Sequence, residues 1–320
     1  MNEKIFDVVI IGGGPAGLTS ALYTSRDRLE TVVLERAQLG GQIAITHEIA
    51  NYPGGILGSE VEPSGAELVA RMVEQVKKFG ANIEMNKDVC TMKLDHDIKE
   101  VKCTDGSVYY AKTVIIAAGA KPREIGCPGE KKLTGRGVSY CATCDGAFFE
   151  DMEVYVVGGG DAAIQEALYL ANLASKVTVI HRRDELRAEK MYEEKAFANE
   201  KINFLWDSVV VEIAGDGMVE SMTVKNVKTE ELTKIEANDE DGTFGVFVFV
   251  GFLPQTEIFK GHVAMDENGY ILTNENMETS VKGVFAAGDL RPKLLRQVVT
   301  ATGDGATAAF AAQKYLESIK

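Results

Sequence analysis

Short runs of apolar, β-branched residues alternate along the chain with longer segments in which apolar residues recur at helical spacing. Asp7 to Ile11 is a run of the first kind, and the spacing after it predicts a helix from about 15 to 26. A second helix is predicted over Gly65 to Phe79, where one stripe is apolar. The run from Thr113 to Gly119 predicts a buried strand that ends in small residues. This alternation predicts an α/β fold.

The chain contains an internal repeat at an offset of 146 residues. Gly12-Gly13-Gly14-Pro15-Ala16-Gly17 reappears as Gly158-Gly159-Gly160-Asp161-Ala162-Ala163. Each copy has the order strand, glycine turn, helix, strand, and the second copy predicts a strand over Glu153 to Val157 and a helix over about 162 to 174. Two such turns predict two dinucleotide sites, because glycines let the backbone approach a pyrophosphate and a helix N-terminus attracts it. The alternative for either copy is a structural turn without a ligand.

The residue that ends the second strand differs between the two copies. In the first copy it is Glu35, whose carboxylate suits a ribose 2′-hydroxyl and disfavours a 2′-phosphate, so FAD and NAD both fit. The aligned residue in the second copy is His181, which is followed by Arg182, Arg183 and Arg187. This cationic cluster suits a phosphate dianion, so it favours NADPH over NADH. The alternative interpretation of the cluster is a solvated basic face without a ligand.

The repeat divides the chain into two Rossmann-like dinucleotide-binding domains. We predict that the first comprises 1–117 and 246–320, and that the second, 118–245, is inserted into it. An acidic, turn-rich stretch ends the insertion, and the apolar run Val246 to Val250 then returns to the first domain. Two linkers at one junction predict a hinge.

Composition and charge are those of a globular protein of about two domains. Of the 320 residues, 45% are hydrophobic and 26% are charged, which excludes a disordered or collagen-like chain. There are 48 acidic and 34 basic residues, and the net charge of −14 disfavours nucleic acid as a partner. No apolar run approaches the roughly 18 residues of a membrane span, and the apolar run near the N-terminus is too short for a signal peptide. Five sparse cysteines fit a reducing compartment, so we expect a cytoplasmic protein.

One cysteine pair is close in sequence, in Cys141-Ala142-Thr143-Cys144. It has three interpretations: a redox-active disulfide, half of a zinc site, or two core thiols. Zinc would need further ligands, but there is no second C-x-x-C and the four histidines are scattered, so no metal is expected. Redox exchange needs this spacing, because it allows a small disulfide ring. Asp145 directly follows Cys144. Its carboxyl group could donate a proton to a departing thiolate, and the alternative is that Asp145 is a turn residue. Cys90, Cys103 and Cys127 are expected to be structural thiols.

These motifs together resemble those of the low-molecular-weight bacterial thioredoxin reductases, FAD enzymes of the pyridine nucleotide disulfide oxidoreductase group. The resemblance extends essentially from end to end. The matching blocks are Gly12 to Gly17, Gly40-Gly41-Gln42, Asn51-Tyr52-Pro53-Gly54, Cys141 to Gly146, Gly158 to Ala163, His181-Arg182-Arg183 with Arg187, Ala287-Gly288-Asp289 and Arg296-Gln297. The chain departs from the commoner residues of the family at Ala162, Gln165 and Gln255.

The resemblance implies two cofactor sites. The FAD site would comprise Gly12, Gly14, Pro15, Ala16, Gly17, Glu35, Gly41, Gln42, Asn51, Val89, Gly119, Gly288, Asp289, Arg296, Gln297 and Val298. The NADPH site would comprise Gly158, Gly160, Asp161, Ala162, Ala163, His181, Arg182, Arg183 and Arg187. The segment from Arg296 to Val298 would lie beside the flavin ring system.

The resemblance also implies a homodimer and an electron path. Electrons would pass from NADPH through FAD to the Cys141–Cys144 disulfide, and from there to oxidised thioredoxin or a thioredoxin-like protein. Cys144 would receive the electrons, Asp145 would act as acid and base, and Cys141 would attack the thioredoxin disulfide. Because the nicotinamide and the disulfide both belong to the inserted domain, they must approach the flavin alternately. This predicts rotation about linkers near 118 and 245.

Two alternatives stay open. A ferredoxin-linked thioredoxin reductase, or a flavin dithiol oxidase that passes electrons to oxygen, would not use NADPH, and the arginine cluster would then be surface charge. A nucleotide-binding redox sensor would hold cofactor without turnover.

Overall fold

The computed structural model describes residues 4–45, 49, 51–54 and 64–319. By its internal contacts the chain separates into two compact units. One is Met1–Lys121 with Pro254–Lys320, and the other is Pro122–Leu253.

Strands and helices alternate in both units. The strands are, in chain order, Ile5–Ile11 (β1), Thr31–Glu35 (β2), Asn82–Met85 (β3), Val89–Lys93 (β4), Lys99–Cys103 (β5), Val108–Ile116 (β6), Ala120–Pro122 (β7), Val138–Ser139 (β8), Glu153–Val157 (β9), Lys176–Ile180 (β10), Ile202–Leu205 (β11), Ser208–Ala214 (β12), Ser221–Asn226 (β13), Leu232–Glu236 (β14), Gly245–Val248 (β15), Phe252–Pro254 (β16) and Val284–Ala286 (β17). The α-helices are Pro15–Arg26 (α1), Gly65–Lys78 (α2), Glu130–Leu133 (α3), Ala142–Asp145 (α4), Asp161–Leu170 (α5), Lys190–Phe197 (α6) and Val298–Ser318 (α7). Short 3-10 helices cover Gly41–Ile45, Gly146–Phe149 and Glu257–Phe259.

The sheet of the first unit is parallel around β1 and antiparallel at one side. β1 pairs in parallel with β2 and β6, and β2 pairs in parallel with β3. The other edge of β6 is shared, because its first half pairs antiparallel with β5 and its last three residues pair in parallel with β17. β4 extends the antiparallel side. β1 therefore ends between parallel strands, at the edge where open α/β sheets bind ligands.

Both faces of this sheet are covered. Val8 and Ile10 are buried together with residues of α1, α2 and α7. Val9 and Ile11 are buried together with residues of β4 and β5. Since successive side chains of a strand point to opposite faces, a strand segment covered on both sides is apolar, as β1 is from Val8 to Ile11.

The second unit has the same layers at an offset of 146 residues. Its parallel sheet has the order β11-β10-β9-β15-β8. Val154 and Val156 pack with α5, as the aligned residues of β1 pack with α1. Tyr155 and Val157 pack on the opposite face with the antiparallel sheet β12-β13-β14. The repeat in the sequence is thus a repeat of structure, and the α/β prediction is confirmed.

The end of the insertion lies later than the sequence predicted. Residues from 246 onward were expected in the first domain, but β15 pairs in parallel with β9 and β8 of the second unit, and Phe247 is fully buried there. The apolar run at 246–250 therefore begins as an inner strand of the second sheet. The chain re-enters the first unit at Pro254, and β16 pairs with β7 in a two-stranded sheet at the two crossings.

The long helix α7 packs closely on α1. A Cβ at Gly305 would lie 2.3 Å from the carbonyl oxygen of Ala16, and the Ser20 hydroxyl donates to the Gly305 carbonyl at 3.0 Å. The absence of a side chain at Gly305 therefore permits this contact. Neither α7 nor any other helix in the described ranges is long and apolar enough to cross a membrane.

Candidate active site

The first glycine turn joins β1 to α1 and leaves no room for a side chain at Gly12 or Gly17. Gly12 has a φ of +109°, and a Cβ there would lie 2.4 Å from the carbonyl oxygen of Ala117. A Cβ at Gly17 would lie 1.9 Å from the carbonyl oxygen of Gly12. Gly14 precedes Pro15 and Ala16 in the first turn of α1, and no side chain of the described residues caps this helix. The unpaired N–H groups of such a helix start suit a pyrophosphate.

Glu35 ends β2 and is tied to the same turn. Its Oε2 accepts a hydrogen bond from the N–H of Gly13 at 2.7 Å, and its Oε1 accepts one from Ala37 at 2.8 Å. The N–H of Lys87 donates to the Glu35 carbonyl, two residues before the buried Val89 at the start of β4. A carboxylate accepts about four hydrogen bonds, so Glu35 keeps capacity for ribose hydroxyls.

Gly41, Gln42 and Gly119 lie near this turn. A Cβ on Gly41 would be 3.6 Å from the Cα of Gly14. The Gln42 Nε2 donates to the carbonyl oxygen of Ala120 at 3.3 Å, one residue after Gly119. Two separate loops thus approach the first glycine turn, Gly12 to Gly17, which we call the first cradle. The second cradle is the aligned turn, Gly158 to Ala163.

The segment from Arg296 to Val298 leads into α7. The Asn51 Nδ2 donates to Oε1 of Gln297 at 3.1 Å, and Gln297 is the N-cap of the helix. The Arg296 guanidinium lies over the Tyr270 ring, 4.8 Å from its centroid, and Val298 is buried. This cation–π contact orients the arginine.

Asp289 brings a carboxylate toward the same cradle. Gly288 has a φ of +90°, and a Cβ there would lie 3.0 Å from the Cβ of Ala16. The Oδ1 atom of Asp289 is buried and has no hydrogen-bond partner within the described part of the chain. Burial raises the pKa of Asp289, against the opposing effect of nearby Lys293 and Arg296. An unsatisfied buried acceptor beside a glycine cradle fits a ligand that donates hydroxyl groups, as FAD does.

Asp304 of α7 binds the loop that carries Asp289, and no pattern in the sequence predicts this role. Its Oδ2 accepts hydrogen bonds from the N–H of Gly288 at 3.0 Å, from Arg291 at 2.9 Å and from Lys293 at 2.7 Å. The side chains of the three charged residues are at most 14% exposed. The three donors lie on one loop and Asp304 lies on α7, so no periodicity or motif in the sequence joins them.

The second glycine turn repeats the contacts of the first. The Gly158 N–H donates to the carbonyl of Ile180 at 3.1 Å, and the Arg187 N–H donates to that of Gly159 at 2.7 Å. In the first turn, the Gly12 N–H equivalently donates to the carbonyl of Leu34 at 2.9 Å, and the Gly40 N–H donates to that of Gly13 at 2.8 Å. A Cβ at Gly158 would lie 2.5 Å from a carbonyl oxygen. Gly160 is the N-cap residue of α5, whose first residues are Asp161, Ala162 and Ala163, and within the part of the chain that the structure describes no side chain caps that helix.

His181 lies across the second turn, at the position aligned with the first copy's carboxylate. A Cβ at Gly159 would lie 2.3 Å from its ring Nδ1. Its Nε2 is buried and unpartnered among the residues that the structure describes. Burial lowers the pKa of His181, and the charges of Arg183, Arg182 and Arg187 lower it further. These three arginines are exposed, so the cluster suits a phosphate arriving from solvent.

Cys141 and Cys144 form a disulfide with their Cα atoms 5.3 Å apart. Cys141 is the N-cap of the single-turn helix α4, and the N–H of Asp145 donates to the Cys141 carbonyl at 3.1 Å. The Asp145 Oδ2 accepts a hydrogen bond from the Ser139 hydroxyl at 2.5 Å. Over the described ranges, no group of three or more His, Cys, Asp or Glu residues could hold a metal ion.

The remaining three cysteines are free thiols. Burial raises the pKa of Cys127 to about 11, with a further contribution from the Glu130 charge, and burial also raises the pKa of Cys103. Thiols of this kind stay protonated near neutral pH and react slowly. Cys90 is exposed on β4.

Glu130 is a second residue whose role no sequence pattern predicts, and it binds segments that precede the cysteine pair. It is 1% exposed. Its carboxylate accepts hydrogen bonds from the N–H groups of Ile125 at 2.9 Å and Gly126 at 2.7 Å, and from the Tyr140 hydroxyl at 2.8 Å. Burial, together with Glu130, raises the pKa of Tyr140, which therefore remains a donor. Since Tyr140 immediately precedes Cys141, this network fixes the start of the disulfide loop.

Comparison with known proteins assigns the chain to a family. The model of the pyridine nucleotide-disulphide oxidoreductases matches residues 6–305. The chain belongs to this family. Thioredoxin reductase of Peptoclostridium acidaminophilum is 56% identical over 316 residues, which are 99% of this chain and 98% of that protein. Thioredoxin reductase of Bacillus subtilis (strain 168) is 49% identical over 322 residues, covering 100% and 97% of the two chains.

A solved structure is similar to this chain over nearly its full length. The thioredoxin reductase from Streptococcus pyogenes MGAS5005 matches with a TM-score of 0.89 and 47% identity, covering 98% of this chain and 99% of that one. Membership of the pyridine nucleotide-disulphide oxidoreductases confirms the resemblance noted in the sequence. It also confirms the fold class of two Rossmann-like domains.

Proposed function

We propose that the protein is an NADPH-dependent flavoenzyme that reduces the disulfide of thioredoxin or a thioredoxin-like protein. The observation that carries this proposal is the Cys141–Cys144 disulfide, which is followed directly by a carboxylate held in place by a buried serine. The thioredoxin reductases that are 56% and 49% identical support the same substrate. We also propose a homodimer in the cytoplasm with no membrane or nucleic-acid partner, as the family resemblance and the composition favour.

The residues of the first cradle fit FAD. The open helix start at Gly14 would receive the pyrophosphate, and the Glu35 carboxylate would receive ribose hydroxyls. Asp289 offers a buried acceptor to a further hydroxyl. The segment from Arg296 to Val298 would border the ring system. Bound FAD would supply two-electron transfer between a nicotinamide and a disulfide.

The residues of the second cradle fit NADPH. The N-terminus of α5 behind Gly160 would receive the pyrophosphate, and Arg182, Arg183 and Arg187 would bind the 2′-phosphate. The carboxylate found at the aligned position of the first cradle would repel that phosphate, whereas the neutral His181 ring does not. This difference in charge favours NADPH for the second cradle and a cofactor without a 2′-phosphate for the first.

The cysteine pair performs thiol–disulfide exchange with the protein substrate. In the reduced pair, the Cys141 thiolate attacks one sulfur of the substrate disulfide, a mixed disulfide forms, and the other substrate sulfur leaves as a thiolate. Cys144 then loses its proton to Asp145 and attacks Cys141. The mixed disulfide breaks, the Cys141–Cys144 bond re-forms, and the substrate leaves as a dithiol.

The test is thioredoxin-dependent oxidation of NADPH by the purified protein loaded with FAD. We expect turnover in the wild type, its loss in Cys141→Ser and Cys144→Ser, and its retention in Cys90→Ser, which removes an exposed free cysteine. Turnover that persists in both variants of the pair would refute the role of the disulfide.

Stopped-flow mixing separates the alternatives. NADPH should bleach the flavin absorbance in the wild type and in all three cysteine variants. If only reduced ferredoxin bleaches it, the protein is a ferredoxin-linked reductase. Oxygen consumption in the absence of thioredoxin that matches the NADPH consumption would identify a dithiol oxidase.

A further inference from the structure

Ser139 lies at the centre of the hydrogen bonds around the cysteine pair. It is the last residue of β8, is 4% exposed, and is held opposite Phe247 in the second sheet. Its Oγ is 2.5 Å from Oδ2 of Asp145, 3.1 Å from the backbone nitrogen of Cys141 and 3.3 Å from the carbonyl oxygen of Cys141. One buried hydroxyl therefore contacts both the carboxylate and the backbone of a cysteine.

The hydroxyl can satisfy Asp145 in either protonation state. A serine hydroxyl donates one hydrogen and accepts through its lone pairs, one of which receives the Cys141 N–H. When Asp145 is ionised, the hydroxyl donates to Oδ2. When Asp145 carries a proton, the acid donates to Oγ, and the hydroxyl hydrogen turns to the Cys141 carbonyl oxygen. The carboxyl group is thus held at one position whether or not it is protonated.

We propose that Ser139 is a positioning residue that keeps Asp145 in place while Asp145 gives up and regains a proton. This inference rests on the acid and base role of Asp145 in the proposed function. When a thiolate of dithiothreitol attacks the sulfur of Cys141, a mixed disulfide forms, the Cys141–Cys144 bond breaks and Cys144 leaves as a thiolate, which receives the proton of Asp145. When Cys144 later attacks to re-form the bond, its proton returns to Asp145.

A merely structural role for Ser139 is the competing explanation. Serine commonly accepts a hydrogen bond from the N–H two residues later, which stabilises a turn. If Ser139 only stabilised such a turn, the effect of Ser139→Ala on the rate would not depend on whether Asp145 is present. A double-mutant cycle of Ser139→Ala and Asp145→Asn distinguishes the two roles, because residues that act through one another have non-additive effects.

The cycle is measured in two assays. The first is thioredoxin-dependent NADPH oxidation by the FAD-loaded protein, in which kcat and KM are determined separately. The second is anaerobic reduction of the Cys141–Cys144 disulfide by dithiothreitol, followed by trapping the thiols with iodoacetamide and counting them by mass spectrometry. The second assay needs neither NADPH nor a protein substrate, so failure of the proposed function and failure of this inference give different results.

We expect Ser139→Ala to lower kcat by about tenfold, a part of the roughly hundredfold or more that proton transfer contributes, and to leave KM within about twofold. In the Asp145→Asn background the same change should have almost no further effect, in both assays. Ser208→Ala is the matched control: Ser208 is 3% exposed in the same unit and its hydroxyl donates to the Trp206 carbonyl at 2.7 Å. It should leave both rates within about twofold.

Ser139→Thr provides rescue, because it keeps the hydroxyl, and it also tests the proposal if Ser139→Ala does not fold. Threonine should retain rates within about twofold of the wild type. Additive effects in the cycle, or a folded threonine variant as slow as Asp145→Asn, would overturn the inference. A wild type that is inactive with NADPH and thioredoxin but shows a non-additive cycle with dithiothreitol would refute the proposed function and support the role of Ser139.

Discussion

The backbone N–H of Gly288 donates a hydrogen bond to Oδ2 of Asp304 at 3.0 Å. The same oxygen accepts hydrogen bonds from Arg291 and Lys293, so a single atom on α7 holds three points of one loop. That loop carries Asp289, whose buried Oδ1 faces no donor within the described residues. Asp304 therefore supports the proposed FAD site without belonging to the glycine motif.

We expect Asp304→Ala to lower the free energy of unfolding by on the order of 3 kcal/mol, because it leaves two largely buried cations without their carboxylate. Urea unfolding checks this value. The variant should also bind FAD more weakly, which can be measured by titrating the cofactor-free protein with FAD and following flavin fluorescence.

The control for Asp304→Ala is Lys314→Ala in the same helix. Lys314 forms an ion pair with Glu317, but both side chains are about half exposed, so its loss should cost less than about 1 kcal/mol. Equal losses of stability in the two variants, with FAD binding unchanged in both, would contradict the supporting role of Asp304.

Two glycines of α7 provide a second prediction. A Cβ at Gly305 would lie 2.3 Å from the carbonyl oxygen of Ala16, whereas a Cβ at Gly303 would meet no atom of the described residues within 4 Å. Gly305→Ala should therefore destabilise the protein by about 1–3 kcal/mol through overpacking. Gly303→Ala should stabilise it by up to about 1 kcal/mol through the better helix propensity of alanine. Denaturant unfolding of the pair decides, and the reverse order would show that α7 does not contact α1 in this way.

The two cradles could be predicted from the sequence because their signals are local. Gly12 and Gly158 each stand between a β-branched strand and a helix, and the offset of 146 residues relates them without knowledge of distant contacts. His181 could be placed in the second cradle for the same reason, since the repeat aligns it with Glu35.

The supporting residues could not be predicted because only the fold brings their partners together. Ser139 reaches Asp145 through the turn of α4, and Asp304 reaches Gly288 from a separate helix. The end of the insertion was misplaced for a related reason. An apolar run such as that beginning at Val246 suits an inner parallel strand of either sheet, and strand pairing alone assigns it to the second.

A third prediction concerns pH and His181. Burial and the neighbouring arginines lower its pKa, whereas in the unfolded chain it titrates near its ordinary value of about 6.5. Below about pH 6.5 the unfolded chain therefore binds more protons than the folded one, and the free energy of unfolding falls as the pH decreases. We expect His181→Asn to reduce this fall, measured by urea unfolding at about pH 7.5 and 5.5.

His96→Asn is the control for the pH experiment, because it removes an exposed histidine. Its pH dependence should equal that of the wild type. If His181→Asn also keeps the full wild-type dependence, the imidazole of His181 is not the group that disfavours folding below pH 6.5.

The last prediction concerns the selection of NADPH by the exposed arginines of the second cradle. Arg182→Gln and Arg187→Gln, each made singly, should each weaken NADPH binding by about 1.5–3 kcal/mol for every charge-assisted hydrogen bond lost. NADH binding should hardly change, because NADH has no 2′-phosphate. Arg136→Gln removes an exposed arginine of the same unit and controls for net charge. The measurement is the apparent Kd for each coenzyme, taken from the rate of flavin bleaching at increasing coenzyme concentration. Equal losses for NADPH and NADH would mean that the arginines contact a part common to both, and the 2′-phosphate assignment would then be wrong.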